Sequence, residues 1–290
     1  MATERLWTVR EVLQWTAADL AERGSGSPRL DAEVLLAAVL GMDRMGLYLA
    51  LDRPLDADER TRYRSSIERR RAGEPVAYIT GVKEFWSLPL RVDARVLVPR
   101  PETEILVEGA IATLGSAREG GRMLDVGTGS GAIAIAILCE CPTLIADATD
   151  QSADAIAVAA DNAERHGVRD RLHLLVGNLE EPVAGEPPYD LVVANLPYIP
   201  SGEIAGLPVG VRDFEPRVAL DGGPDGLSLV RRLVERASSL LAPGASMLLE
   251  VAMGQAPAVV TLGATVADLE PARIVPDYAG IERVVVLRRR

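Results

Sequence analysis

The sequence predicts an α/β fold: a mostly parallel sheet with helices on both faces, preceded by a small all-helical domain. Three observations carry this reading. From residue 122 onward, short β-rich runs alternate with segments of helical length, as βαβ units do. Residues 1–80 carry helix caps and amphipathic stretches but no strand-like alternation. A glycine-rich turn, Gly127-Thr-Gly-Ser-Gly131, joins the first strand of the alternating region to its helix.

Taken in order, Thr8 and Glu11 form a capping box ahead of an amphipathic segment that ends near Gly24. Ser27 with Pro28 opens a second helix, which runs through RLDAEVLLAAVL and stops at Gly41. Asp56 with Glu59 caps a third, which stops at Gly73. Residues 1–80 therefore read as a helical bundle. Residues 81–98 read as a connector, in which FWSLPLRVDARVLV is β-rich and predicts a hairpin. Pro99 and Pro101 break the chain before a helix that begins near Glu102, and residues 99–290 form the larger domain. Within it, RMLDV, TLIADAT, LHLLV, YDLVVA, SMLLEVA and ERVVVLRR read as strands. GAIAIAILCE, SADAIAVAADNAERHG and LSLVRRLVERASSLL read as helices. In such sheets ligands bind beyond the carboxyl ends of the strands, where strand order reverses.

Composition narrows the function. Apolar residues make up 48% of the chain and aromatics only 4%, so the core must be aliphatic. No apolar run reaches the length of a membrane span, and the start MATERLWTVREV has no apolar signal core. The expectation is a cytoplasmic protein without membrane contact. The net charge of −11 argues against direct nucleic-acid binding, which needs a positive surface. The exception is RTRYRSSIERRR, residues 60–71, with six Arg, read equally as a solvated helix face or a partner patch. Cys139 and Cys141 are the only cysteines and have no nearby His, so no metal site is expected. His166 and His173 read as surface residues.

Gly127, Gly129 and Ala132 satisfy G-x-G-x-x-A, the dinucleotide fingerprint, which alone is weak evidence. Asp150 ends the second strand, where a carboxylate accepts hydrogen bonds from ribose hydroxyls. Two cofactor classes compete, a nicotinamide dinucleotide and S-adenosylmethionine. Asp125, at the mouth of the turn, favours the second, because an anion there repels a pyrophosphate and suits an ammonium and a sulfonium.

ANLPYIP, residues 194–200, follows the fourth strand and should reach the same sheet edge. Methylation of a planar amide or amino nitrogen needs two acceptors that hold its N–H donors and aim it. The Asn195 side-chain oxygen is one, and a carbonyl freed by the turn at Leu196 and Pro197 is the other. Tyr198 can lie flat against the planar group. Carbonyl dipoles and an aromatic face stabilise positive charge developing on the nitrogen, so no strong general base is required.

These stretches resemble the class I S-adenosylmethionine-dependent methyltransferases that modify amino nitrogens, whose usual tetrapeptide is Asn-Pro-Pro-Tyr. More closely, the chain resembles the HemK/PrmC-type protein-(glutamine-N5) methyltransferases. GEPVAYITG, FWSLPLRVDARVLVPRPETEILVE, FEPRVALDGGPDGLSLVRRLV, LLEVAMGQ and DYAGIERVVV all look like stretches of that family, in family order. The resemblance implies a seven-stranded Rossmann-like methyltransferase sheet. It implies methylation of the Gln in the Gly-Gly-Gln motif of peptide-chain release factors, with S-adenosyl-L-methionine as cofactor. It places cofactor contacts at Gly127, Thr128, Gly129, Ser130, Gly131, Asp150, Asn178 and Leu179, and the target amide at Asn195, Leu196, Pro197 and Tyr198. Glu102, Thr103 and Glu104 would line the cofactor pocket, and the helical segment would dock the release factor. Leu196 departs from the family's first Pro, at the residue whose backbone carbonyl rather than ring is needed. Asn178 stands where an acid is more common.

Three alternatives stay open at this point. A ribosomal protein could be the glutamine substrate. An adenine-N6 DNA methyltransferase shares the Asn-x-Pro-Tyr logic, though the acidic charge argues against it. A scaffold with an inactive methyltransferase fold has only Leu196 in its favour.

Overall fold

The computed structural model describes residues 7–115 and 120–290, with Ala272 described by its backbone alone. It divides into two compact units. One runs up to Gly81 and includes Pro208–Phe214; the other comprises Val82–Leu207 and Glu215–Arg290.

The first unit is helical: α1 (Val9–Glu22), α2 (Pro28–Leu40), α3 (Arg44–Leu49), α4 (Ala57–Arg71) and α5 (Val76–Thr80). The Thr8–Glu11 and Asp56–Glu59 capping boxes form in full, and Gly41 ends α2 in the left-handed region. Ser27 precedes Pro28 but makes no side-chain cap bond. Val9, Leu13, Leu35, Leu36, Leu47 and Leu55 close the core with Tyr63 and Ile67. Each such burial contributes roughly 1.5–3 kcal/mol. Much of the arginine run is neutralised within the unit, as Arg62 pairs with Asp58, Arg69 with Glu74, Arg70 with Asp31 and Arg71 with Asp19. The short α3 has no counterpart in the sequence reading. Nor does the placement of Pro208–Phe214, where α9 (Val209–Arg212) packs its Val209 against Gly73.

The second unit opens with a hairpin, β1 (Val82–Phe85) and β2 (Leu88–Arg91). Its two-residue turn, Trp86-Ser87, has both φ angles positive, the geometry that matches strand twist. The predicted hairpin sat further along; ARVLV is not a strand, and the pairing is Val82 to Arg91 through Phe85 to Leu88. Phe85 and Leu90 are buried in this unit's core. Then follow α6 (Thr103–Leu114), β3 (Arg122–Val126), α7 (Ala132–Glu140), β4 (Ile145–Asp150), α8 (Ala153–Arg165), β5 (Leu172–Val176) and β6 (Tyr189–Ala194). After the excursion of α9 come α10 (Ser228–Leu240), β7 (Leu241–Glu250), α11 (Ala256–Ala264), β8 (Leu269–Pro276) and β9 (Glu282–Arg289).

The seven-stranded sheet has the order β5-β4-β3-β6-β7-β9-β8, with β9 antiparallel to both of its neighbours and the other pairs parallel. Successive side chains alternate between two cores. Met123, Leu191, Val193, Leu248, Val284 and Val286 face the α6–α7 side. Leu124, Val192, Met247, Leu249, Val285 and Leu287 face the α10–α11 side. Burial on both faces is why these strands read as continuous apolar runs.

Candidate active site

Strand order reverses at β3, which is followed by β4 on one side and flanked by β6 on the other. Val126 pairs with Ala194, so the two chains leave the sheet side by side. The next residues are Gly127 and Asn195. The glycine turn and the Asn-Leu-Pro-Tyr turn are therefore adjacent because of topology.

The glycine turn is held from below. The Thr149 carbonyl accepts the N–H of both Gly127 (2.8 Å) and Thr128 (2.9 Å). Asp150 Oδ2 accepts the Gly129 N–H at 2.9 Å, and its Oδ1 accepts that of Ser152 at 2.9 Å. Ser152 itself caps α8, which leaves Asp150 to the loop. Gly129 has φ +55°, and a Cβ there would meet no atom within 4 Å, so its space is open. Gly131, at φ +81°, differs: a Cβ would come within 2.8 Å of Ile135 and 3.2 Å of Ala159. Its smallness serves helix packing. The fully buried Asn162 donates to the carbonyls of Ser130 and Arg91 and accepts the Arg91 N–H, tying the turn to the hairpin.

The tetrapeptide is held by the segment 215–226. Ile199 pairs with Asp221, its N–H donates to Leu220, and its carbonyl accepts the Gly222 N–H. Backbones approach so closely that a Cβ at Gly222 would lie 2.6 Å from the Pro197 carbonyl oxygen, and one at Gly226 2.3 Å from that of Tyr198. Gln255 donates to the Tyr198 carbonyl at 3.0 Å. At the head of this segment, Arg100 Nη2 lies 2.7 Å from both oxygens of the buried Glu215. Among the described residues no donor is bonded to the Leu196 carbonyl. The Leu196 side chain is 3% exposed, and its Cδ2 would lie 3.0 Å from a Cβ on Gly127. It fills the space beneath the glycine turn, a packing role the sequence does not reveal.

The cleft so formed encloses about 950 Å³, counting the part open to solvent. Of the sequence-predicted residues, Gly127, Thr128, Gly129, Ser130, Asp150, Asn178, Leu179, Asn195, Leu196, Pro197 and Thr103 line it. Asp125, Gly131, Tyr198, Glu102 and Glu104 are not among its lining residues. Asp125 lies below the turn, 0% exposed, where Oδ2 accepts the Thr128 hydroxyl at 2.7 Å and Oδ1 has no partner. Its strand position dictates this, since Asp125 still belongs to β3 and points into the α7 side. Glu104 accepts the Trp86 N–H at 2.8 Å and so steadies the hairpin turn. Tyr198 is half-buried, and burial, then the nearby charge of Glu250, pushes its hydroxyl up to about 12. His166 and His173 lie outside the cleft, bonded to the Pro89 carbonyl and to Asp147. Among the described residues Leu179 is one of three non-glycine residues with positive φ, at 50°.

One buried group at this edge escapes the sequence reading. Glu250 ends β7, is 3% exposed, and has an unpartnered Oε2. Burial raises its carboxyl to about 7, against the opposing influence of the Thr103 hydroxyl, the Arg283 charge and the Asn195 amide. Asp125 is likewise raised to about 7 by burial. The cleft's own cations are neutralised: Arg95 pairs with Asp93 and Arg100 with Glu215. The available signal for Glu250 was a lone acid inside an apolar strand.

This architecture, a parallel sheet with a glycine turn and an Asn-x-Pro-Tyr turn at its reversal point, defines a Rossmann-like methyltransferase. A solved methyltransferase from Pyrococcus furiosus shares the fold with a TM-score of 0.52 at 18% identity, over 78% of this chain and 96% of that one. Residues 103–205 match the family described as Methyltransferase small domain, and residues 11–81 match PrmC N-terminal domain. A release factor glutamine methyltransferase of Geobacter sulfurreducens is 42% identical over 280 residues, 97% of this chain and 96% of that protein. Another, of Rhodopirellula baltica, is 39% identical over 286 residues, 98% and 97% of the two chains. The chain belongs to the release factor glutamine methyltransferase family.

Proposed function

We propose that this protein transfers a methyl group from S-adenosyl-L-methionine to the side-chain amide nitrogen (N5) of the glutamine in the Gly-Gly-Gln motif of peptide-chain release factors. One observation supports it most. Asn195 Nδ2 donates to Thr103 Oγ1 at 3.1 Å, which leaves the Asn195 oxygen as an acceptor beside the unbonded Leu196 carbonyl. A glutamine amide has two N–H donors for those two acceptors.

The residues present suit the cofactor. The open space over Gly129 accepts a close approach to backbone, and the cleft arginines are already paired, so no free cation there calls for a pyrophosphate. Asp125 lies beneath the turn and outside the cleft lining, so its charge reaches a bound ammonium or sulfonium only through the turn. Asp150, Asn178 and Leu179 would hold its nucleoside end. The cofactor, when bound, supplies an electrophilic methyl group. The chain's own residues do the rest: Asn195 and the Leu196 carbonyl hold and aim the amide, and their dipoles stabilise the positive charge that develops on its nitrogen. The acidity of such a nitrogen lets its proton leave to solvent without a protein base. Tyr198, neutral at working pH, contributes ring surface and not a base. The helical unit is the part we assign to docking the release factor.

The test offers labelled cofactor with a release factor, with the same factor carrying Gln→Ala in its Gly-Gly-Gln motif, with a ribosomal protein, and with duplex DNA. Label should enter only the intact release factor. Label in the Gln→Ala variant or in DNA contradicts the assignment.

A further inference from the structure

We propose that Glu250, acting through Thr103, is a positioning residue that fixes which end of the Asn195 amide faces the substrate. The proposal rests on the reading of Asn195 as the acceptor for the glutamine amide, and adds the device that keeps it one.

The three residues come from distant points in the chain and meet for a geometric reason. Ala194 pairs with Leu249, so Asn195 and Glu250 are the next residues on adjacent strands. Each lies two positions beyond a residue facing the α6 side, Val193 and Leu248, and strand side chains repeat with period two. Both therefore project to that side. Thr103, the first residue of α6 and 4% exposed, stands there to meet them.

An Asn side chain has one acceptor end and one donor end of nearly equal shape. Presented the wrong way, Asn195 would turn an N–H against the two N–H donors of a glutamine amide. Its Nδ2 donates to Thr103 Oγ1 at 3.1 Å. A hydroxyl that accepts there has one proton left to give, and Glu250, next to Asn195 on the adjacent strand, 3% exposed and with Oε2 unpartnered, is the buried acceptor on that side. A carboxylate can only accept, so the chain of bonds has one direction: Asn195 to Thr103 to Glu250. Oδ1 of Asn195 is then directed to the cleft. A protonated Glu250 can donate to Thr103, whose own proton is then free to go to Asn195 Oδ1, so the chain of bonds can run the other way and Asn195 can turn over.

Charged and titratable groups face Glu250 from each element around it. Glu102 at the head of α6 disfavours its ionisation, Arg283 of β9 favours it, and Tyr198 in the tetrapeptide stays neutral. With the carboxyl near 7, the ionised and directing form is gained as pH rises through neutrality. Turnover should rise with it.

The experiment measures kcat, KM for release factor, and cofactor affinity for Glu250→Gln, Thr103→Val, Thr103→Ser and Asn195→Ala across pH 6–9. Glu250→Gln and Thr103→Val should each lower kcat about tenfold or more, with cofactor affinity in Glu250→Gln within about twofold. Thr103→Ser, which keeps the hydroxyl, should restore most of the loss. The rise of kcat through neutral pH should be present in the unaltered protein and absent in Glu250→Gln. Adding Glu250→Gln to Asn195→Ala should cost nothing further. Wild-type kcat and pH profile in Glu250→Gln, with Asn195→Ala inactive, overturn this proposal and leave the amide-holding role of Asn195 intact. Equal loss of cofactor binding in Glu250→Gln also overturns it, since the residue is then structural. An active Asn195→Ala overturns the amide-holding role itself.

Discussion

The two ends of the central sheet each bury carboxylates, and they treat them in opposite ways. At the amino end, Asp147 is 5% exposed and saturated: Arg122 donates to it at 2.8 Å, the Tyr189 hydroxyl at 2.6 Å, and His173 Nδ1 lies 2.9 Å away. Arg122 also stacks over the Tyr189 ring, 5.0 Å from its centroid. At the carboxyl end, Asp125 and Glu250 each keep an oxygen without a partner, and burial raises both to about 7. An unpaired buried acceptor costs stability, so a fold carries it where a ligand or a reaction uses it. The Asp-His contact, which on paper looks more like catalysis, belongs to the end that is complete without any ligand.

Four substitutions sharpen this contrast, in descending order of effect. Asn195→Ala should reduce methyl transfer about a thousandfold or more while cofactor affinity, read by calorimetry, changes little. An equal collapse of binding would make Asn195 structural. Asp147→Asn should lower stability by about 2–4 kcal/mol in denaturant unfolding, because Arg122 and Tyr189 lose their shared anion, with kcat unchanged at a temperature where the variant is folded. A loss of kcat would break the division between the two ends.

Asp125→Asn should do the reverse at pH 8, adding about 1–2 kcal/mol of stability while weakening cofactor binding. The sign follows from its raised carboxyl. Because the folded form binds the proton more tightly than the unfolded form, Asp125 supports folding fully below its ordinary range near 3.8 and loses that support as pH rises to about 7. The variant's advantage should therefore shrink as pH falls from 7 toward 4, and an advantage constant with pH would contradict the assignment. Leu196→Pro should change kcat by less than about tenfold, or ~1.4 kcal/mol of barrier. Its carbonyl survives, while the contact beneath Gly127 is lost.

The sequence made the cleft edge of the sheet legible because its signals are local. Capping boxes, the glycine turn and NLPYIP each declare themselves within a few residues, and strand alternation orders them along the chain. What stayed hidden is long-range or contrary to local preference. Strand β8, LEPARIVP, carries two prolines, which argue against a strand unless it lies at an edge, where this one does. Segment 208–214 groups with the helical unit, where Val209 and Phe214 pack on Gly73, a contact between residues far apart in the chain. The Asn195–Thr103–Glu250 set spans residues that only the sheet register and the head of α6 bring together. The place of Asp125 in the glycine motif suggests that it faces a ligand; only the sheet shows that its strand position buries it.

The most direct measurement is to map where the methyl group lands. The protein is incubated with labelled S-adenosyl-L-methionine and purified release factor, and the product is digested and sequenced by mass spectrometry. A single methyl on the glutamine side chain of the Gly-Gly-Gln motif, absent with Asn195→Ala, is the predicted result. A methyl on any other residue, or no transfer by protein shown to bind the cofactor, would contradict the account.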